Sequence, residues 1–199
     1  MEFQKIQMTK KNTLNLVFKN DAGDIVTVAG ANIVHKDLKA TMNALIPHIA
    51  LMTEQREAYN RGLKELEADR IQDGNSQSVF RLLTVDTITL SDEESKVSLS
   101  GNRILQNGMV IKVESPQIGS NEGEHYDYCS ELFLAIEAVI YEAKQYWQEA
   151  KWGIKEGDLD FGADDPFDGK VTTDQVPQAD VEQPETKKKP KKAKQVKVA

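Results

Sequence analysis

Glu122, Glu124, His125 and Asp127 fall within six residues, just ahead of a stretch with helical periodicity, and carboxylates with an imidazole at that spacing could collect a divalent cation. Acidic residues are also stabilised at a helix N-terminus by its dipole, which accounts for them without a metal, and no metal is expected. The chain has no G-x-x-x-x-G-K-[ST] phosphate loop, no G-x-G-x-x-G after a strand and no H-E-x-x-H, and its single cysteine leaves no Cys pair for zinc. His35 and His48 are isolated, the latter beside Pro47, and a surface or core packing role is the ordinary one for both. Cys129 lies on an apolar stripe and reads as an inert small hydrophobe. The expectation is a protein that is not an enzyme and needs no cofactor.

Binding chemistry is concentrated in the last 45 residues. Residues 155–185 hold ten carboxylates against two lysines, with Leu159, Phe161, Pro166 and Phe167 among them, and residues 186–199 hold seven lysines and no carboxylate. Such a segment has too little apolar surface to offset its ordering entropy, so it reads as a disordered interaction tail. Lys187, Lys188, Lys189, Lys191, Lys192 and Lys194 would condense on DNA or RNA phosphates without sequence preference, or fold back onto the acidic segment. A solvated tail that only improves solubility is the plain alternative.

The elements that must carry this tail lie in residues 1–154, enough chain for one core without staples. Phe3, Ile6 and Met8 make an irregular first strand. Leu14, Leu16 and Phe18 alternate cleanly, Asn20 to Asp24 turn with Gly23 at a positive dihedral, and Ile25, Val26 and Val28 resume as a hairpin. After Ala29-Gly30-Ala31-Asn32 the period becomes helical. Leu38, Met42, Leu45, Ile49, Met52, Tyr59, Leu63 and Leu66 form a stripe on one long helix or a kinked pair, bending at Pro47 and Gly62. Val79–Leu90, Lys96–Ser100 and Met109–Glu114 read as strands, with an Asn107-Gly108 hairpin signal, and Pro116–Glu124 as a loop. Cys129, Leu132, Ile136, Val139, Ala143, Tyr146 and Ala150 mark a second long helix over Tyr126–Trp152. The fold class is α+β: an antiparallel sheet covered by two long amphipathic helices. Two architectures fit this order, a duplicated three-strand-plus-helix unit and an OB-like barrel around a nucleic-acid groove. The barrel would need aromatic platforms among basic residues on its strands, where only Phe3, Phe18 and Phe80 are candidates. If one helix stripe stays exposed, it would drive homo-oligomer formation.

Residues 1–154 carry sixteen basic and twenty-two acidic side chains, which argues against a general phosphate-binding coat but leaves room for a local basic strip. One cysteine fits a reducing compartment. The start, MEFQKIQMTKKN, has no apolar h-region, and no window approaches eighteen apolar residues, so a cytoplasmic protein without membrane contact is expected.

Several segments resemble known families. Asp164-Asp165-Pro166-Phe167 looks like the acidic tip of bacterial single-stranded-DNA-binding proteins, which recruits repair and replication enzymes through its Phe and flanking Asp. Glu156-Gly157-Asp158-Leu159-Asp160-Phe161 is similar to the Q-x-x-L-x-F peptide by which bacterial replication proteins bind the sliding clamp. The run VSLSGNRILQNGMVIKVESPQI, continued to KWGIKEGDLDF, resembles uncharacterised bacteriophage and prophage proteins and implies the cytoplasm of a bacterial host. Asp86 with Glu94-Ser95-Lys96 resembles the D…E-x-K set of metal-dependent nucleases, in which two carboxylates hold Mg²⁺ and the lysine positions water. These likenesses imply a phage-type accessory protein of DNA metabolism that binds single-stranded DNA, recruits replication or recombination partners, or does both. Leu159, Phe161, Asp164, Asp165, Pro166 and Phe167 would engage the partner and the tail lysines the nucleic acid. An interaction protein without nucleic acid, such as a virion component or an inhibitor of a host factor, is the alternative, and a metal-dependent nuclease the remote one.

Overall fold

A chain whose apolar residues recur with period two buries one side of an extended strand. In the computed structural model of the protein, which describes residues 1–70, 78–91, 95–120 and 126–153, this gives β2 (Thr13–Lys19), with Leu14, Leu16 and Phe18 buried. The irregular first run is β1 (Glu2–Met8), antiparallel to β2 with Ile6 opposite Leu16 and a register shift between Phe3 and Lys5. The turn that follows β2 has Gly23 at φ +90°, and Asn20 Oδ1 accepts from the amides of Ala22 and Asp24. It leads into β3 (Ile25–Ile33).

The small residues Ala29 to Asn32 do not end β3; they continue it. A Cβ at Gly30 would collide with the Leu14 carbonyl oxygen and the Tyr146 hydroxyl, so the missing side chain is what allows a helix to close on this strand.

The Leu38–Leu66 stripe is not one long helix. It breaks into α1 (Lys36–Ala44), α2 (Ile46–Met52), a 3-10 turn (Arg56–Ala58) and α3 (Leu63–Ala68). Pro47 sits in the first turn of α2, where its missing N–H goes unnoticed, and Gly62 is the N-cap of α3. Between them, Thr53 Oγ1 donates to the Ile49 carbonyl at 2.6 Å, and Glu54 and Asn60 take left-handed dihedrals. Leu38, Met42, Leu45, Ile49, Leu63 and Leu66 are buried as the stripe requires, but Tyr59 is 77% exposed.

The first four residues of the Val79–Leu90 run form α4 (Val79–Leu82), capped by Ser78 Oγ, which accepts from the Phe80 amide. The strand proper is β4 (Leu83–Leu90), followed by β5 (Lys96–Ile104), β6 (Val110–Glu114) and a two-residue β7 (Ile118–Gly119) inside the segment read as loop. Gly108, at φ +79°, makes the hairpin turn between β5 and β6. The last helix, α5 (Cys129–Gln148), ends before Trp152.

The strands pair in the order β3-β2-β1-β4-β5-β6, all antiparallel, with β7 against β5. This is an α+β fold built as two three-stranded meanders joined through β1 and β4, with Ile6 opposite Ile88. The path does not close into an OB-like barrel among the described residues: β3 and β6 stand at its two ends. The core lies between the inward side chains of the sheet, such as Phe3, Leu16 and Ile88, and those of α1, α2 and α5, such as Met42, Ile49 and Val139. Burying each of these contributes about 1.5–3 kcal/mol. Of the second stripe, Cys129, Leu132, Ile136, Val139, Ala143 and Tyr146 are buried in this core, while Ala150 is exposed. None of the described helices is long and apolar enough to cross a membrane.

Candidate nucleic-acid interface

Of the sequence candidates for catalysis, Asp86, Lys96 and Asp127 lie among the described residues. Asp86 Oδ2 accepts from Asn102 Nδ2 and Oδ1 from Thr87 Oγ1, both at 2.7 Å, so its carboxylate is already engaged. Lys96 begins β5 four residues before Ser100, the partner of Thr87, which separates it from Asp86 by about 13 Å of strand. Glu94, Glu122, Glu124 and His125 lie outside the described residues, and Asp127 is exposed. Among the described residues no three His, Cys, Asp or Glu side chains are close enough to share a metal ion.

His35 caps α1, its Nδ1 accepting from the Asp37 amide at 3.3 Å. His48 is 2% exposed, its Nδ1 lies 2.8 Å from the Tyr126 hydroxyl, and burial pushes its pKa down to about 4. Burial likewise pushes the Tyr126 hydroxyl upward. Cys129 is buried and its thiol donates to the Gly119 carbonyl at 3.3 Å. The expected partner-binding residues Leu159, Phe161, Asp164, Asp165, Pro166 and Phe167, and the lysines from Lys187 to Lys194, lie outside the described residues.

Nor do the expected strand aromatics form a platform. Phe3 and Phe18 are core residues in edge contact at 5.9 Å, and Phe80 belongs to α4. The sheet face turned away from the helices presents rows such as Thr27, Val17, Lys5, Thr89 and Ser98, and none of the aromatics on the described strands lies on it.

The exposed aromatics are elsewhere. Trp147 and Trp152, the chain's two tryptophans, are 45% and 47% exposed and line one cleft of about 160 Å³ against Val28–Asn32 of β3. Several contacts hold them. Trp147 leans on Phe18, ring centres 6.2 Å apart, and the Tyr146 hydroxyl donates to the Asn32 carbonyl at 2.7 Å. After α5, Ala150 takes a positive φ of 52°, and the chain folds back so that Trp152 Nε1 donates to the Tyr146 carbonyl at 3.2 Å. Trp152 then bridges to Val34, and the Gly153 amide donates to the Ile33 carbonyl at 2.8 Å. Lys151 anchors this return, its Nζ 2.8 Å from both Glu142 Oε2 and Asp37 Oδ2. Its pKa is pushed up to about 12 by those two carboxylates.

Three exposed lysines lie near the Val34–Trp152 bridge. The Val34 amide donates to the Asn12 carbonyl at 2.8 Å, which brings the β1–β2 turn with exposed Lys10 and Lys11 beside the strand that Trp152 bridges. Lys36, also exposed, follows Val34 by two residues. An indole face with lysines nearby can stack a base and meet its phosphate. Sequence reasoning missed this pair because a helix continued through Trp152 would put the two indoles well apart around its axis. No signal in the sequence marks the break, since the Gln, Glu, Ala and Lys between the two tryptophans all favour a helix, yet α5 stops at Gln148.

A second surface lies at the β5–β6 hairpin, where Ile104, Met109, Val110 and Ile111 are exposed. Beside it is an open cavity of about 750 Å³ lined by Arg56, Glu57, Leu82 and Arg103. Arg103 forks onto Glu57 at 2.8 and 2.9 Å and also donates to Gln55, and its guanidinium holds the Glu57 carboxyl below the usual range.

Comparison with protein-family models, curated proteins and solved structures finds no match for this chain.

Proposed function

We propose that the chain is a non-enzymatic accessory protein of DNA metabolism, of the phage type its second half resembles, which holds single-stranded DNA in the Trp147–Trp152 cleft. In this reading Lys10, Lys11 and Lys36 meet the phosphates. The segment around Leu159, Phe161, Asp164, Asp165, Pro166 and Phe167 recruits replication or recombination partners, and Lys187 to Lys194 add contacts without sequence preference. The observation that carries the reading is that both tryptophans are half exposed in one cleft, where a core role would have buried them.

Because the chain has no tryptophan elsewhere, its tryptophan emission, excited selectively over the tyrosines, reports on this cleft alone. Titration with oligo-dT at low salt is expected to quench it, in step with a rise in anisotropy of the labelled oligonucleotide. Trp152→Ala should weaken binding by about 1–3 kcal/mol, the value of one base stacked on an aromatic ring. Absence of both signals at low salt sinks the proposal. It would leave the second reading, an interaction protein without nucleic acid, which the exposed apolar tip of the β5–β6 hairpin favours.

A further inference from the structure

The strand order β3-β2-β1-β4-β5-β6 ends on β6, and among the described residues no strand pairs its far side. Its register with β5 is unbroken, from Ser100–Glu114 to Ile104–Val110. The Leu105 amide donates to the Met109 carbonyl and the Ser115 amide to the Leu99 carbonyl, both at 2.8 Å. Alternation along an antiparallel ladder then turns the N–H and C=O of Ile111 and Val113 towards β5, and those of Val110, Lys112 and Glu114 towards the free side. An edge of this kind templates a further strand. Beside it Met109, Val110 and Ile111 are exposed, at 58%, 61% and 43%. Consecutive apolar side chains in water at a sheet edge mark an interaction surface.

Its charges decide what can pair there. A lysine on an edge strand ordinarily discourages a neighbour. Lys112-Val113-Glu114 instead reads positive, neutral, negative, and an antiparallel copy turned about Val113 reads negative, neutral, positive. From this we infer that β6 pairs with β6 of a second copy of the chain in a two-fold dimer centred on Val113, the sheet running on through both molecules. In that register each Lys112 lies opposite Glu114 of the second copy, and each of these pairs exchanges both backbone hydrogen bonds, with Cα atoms about 5.5 Å apart. Opposite charges in facing positions stabilise a sheet, and like charges there destabilise it. Hence the neighbouring registers fail: a turn about Lys112 sets lysine against lysine, and one about Ile111 sets Lys112 opposite Val110 and pairs no charge. The register about Val113 also places Ile111 opposite Ser115 and Val110 opposite Pro116, so that both exposed apolar residues lose contact with water. A two-fold interface needs a surface that complements itself, and this tripeptide supplies one. Within the single chain Lys112 Nζ lies 3.4 Å from Glu114 Oε2, so the two side chains already share a face and extend into a ladder of alternating charge. At the other end of the path β3 carries no charge to fix a register, and the Gly153 amide already donates to its last residue. The dimer is independent of nucleic-acid binding.

Sedimentation equilibrium of the full chain at low salt tests this, and the wild type should show a monomer–dimer equilibrium. Lys112→Glu and Glu114→Lys each set like charges opposite one another and should raise the dimer dissociation constant about tenfold or more, whereas Lys112→Glu/Glu114→Lys restores opposite charges and should return it to near the wild-type value. A wild type that stays monomeric up to millimolar concentration overturns the inference. So does dimerisation that the single variants leave unchanged, or a double variant that dimerises no better than either single one. Cysteine substitution locates the axis separately. Val113→Cys brings two thiols to one antiparallel pair, within disulfide reach, whereas Ile111→Cys leaves them about 14 Å apart along the strands. Mild oxidation should therefore cross-link Val113→Cys faster, and equal or faster cross-linking of Ile111→Cys, at the more exposed position, also overturns the inference.

Discussion

His48 and Tyr126 meet in the core across 78 residues of sequence, and the pair makes stability depend on pH. Burial is the main cause that lowers the His48 pKa from 6.5 to about 4, with Glu131 pulling weakly the other way. Between those values the unfolded chain takes up a proton that the folded chain refuses. The contribution is therefore complete above pH 6.5 and disappears as pH falls towards 4. Its size is about 3 kcal/mol at 1.36 kcal/mol per pH unit. Urea unfolding at about pH 7, 5.5 and 4.5 should show that decline, and His48→Phe/Tyr126→Phe, which removes both polar partners together, should flatten it. Equal slopes in the two proteins would assign the decline to other groups. The sequence left a surface and a core packing role open for His48, and its partner was not legible, because no spacing links a helix residue to one 78 positions away. Trp147 and Trp152 teach the converse lesson. Their types were plain in the sequence, and only the end of α5 at Gln148 with the left-handed Ala150 brings them to one cleft.

Among the elements, the strands followed their period and the first helical region did not. The three-and-four spacing from Leu38 to Leu66 reports which residues enter the core, and it is indifferent to breaks in the helix that carries them. Hence Pro47 and Gly62 were readable as bends, whereas the turn at Thr53–Asn60, made by a side-chain hydrogen bond and two left-handed residues, was not. Tyr59 fitted the spacing and is exposed because it falls in that turn. The small residues of β3 read as a break for a related reason: composition alone cannot distinguish a loop from a strand that another element approaches closely. Gly30→Ala tests the distinction. Its methyl group would press on the Leu14 carbonyl and the Tyr146 hydroxyl, and overpacking of this kind costs about 1–3 kcal/mol. A fall of that size in urea stability, with altered tryptophan emission as α5 lifts, is expected. A change below about 0.5 kcal/mol, the range of ordinary surface substitutions, would mean the strand gives way easily.

Over the whole molecule, charge and topology act at long range. The net charge is −7, so under the proposed function nucleic acid would have to be met by a local group of cations, such as exposed Lys10, Lys11 and Lys36 near the Val34–Trp152 bridge. Replacing Lys10 and Lys11 together with Gln should reduce the slope of log affinity for oligo-dT against log salt by about 1.4, roughly 0.7 for each single-strand phosphate that is no longer neutralised. An unchanged slope would move the phosphate path to another surface. The α+β class was legible in the order of strands and helices, but the joining of two meanders was not, since no turn chemistry encodes the pairing of β1 with β4. That pairing also sets a timetable for synthesis. β4 ends at Leu90, 82 residues after the end of β1 at Met8, so at 5–20 residues per second the ribosome needs about 4–16 s to supply the partner. During that interval the nascent β1 edge stands open, and a slow or crowded ribosome gives neighbouring chains that much time to claim it first.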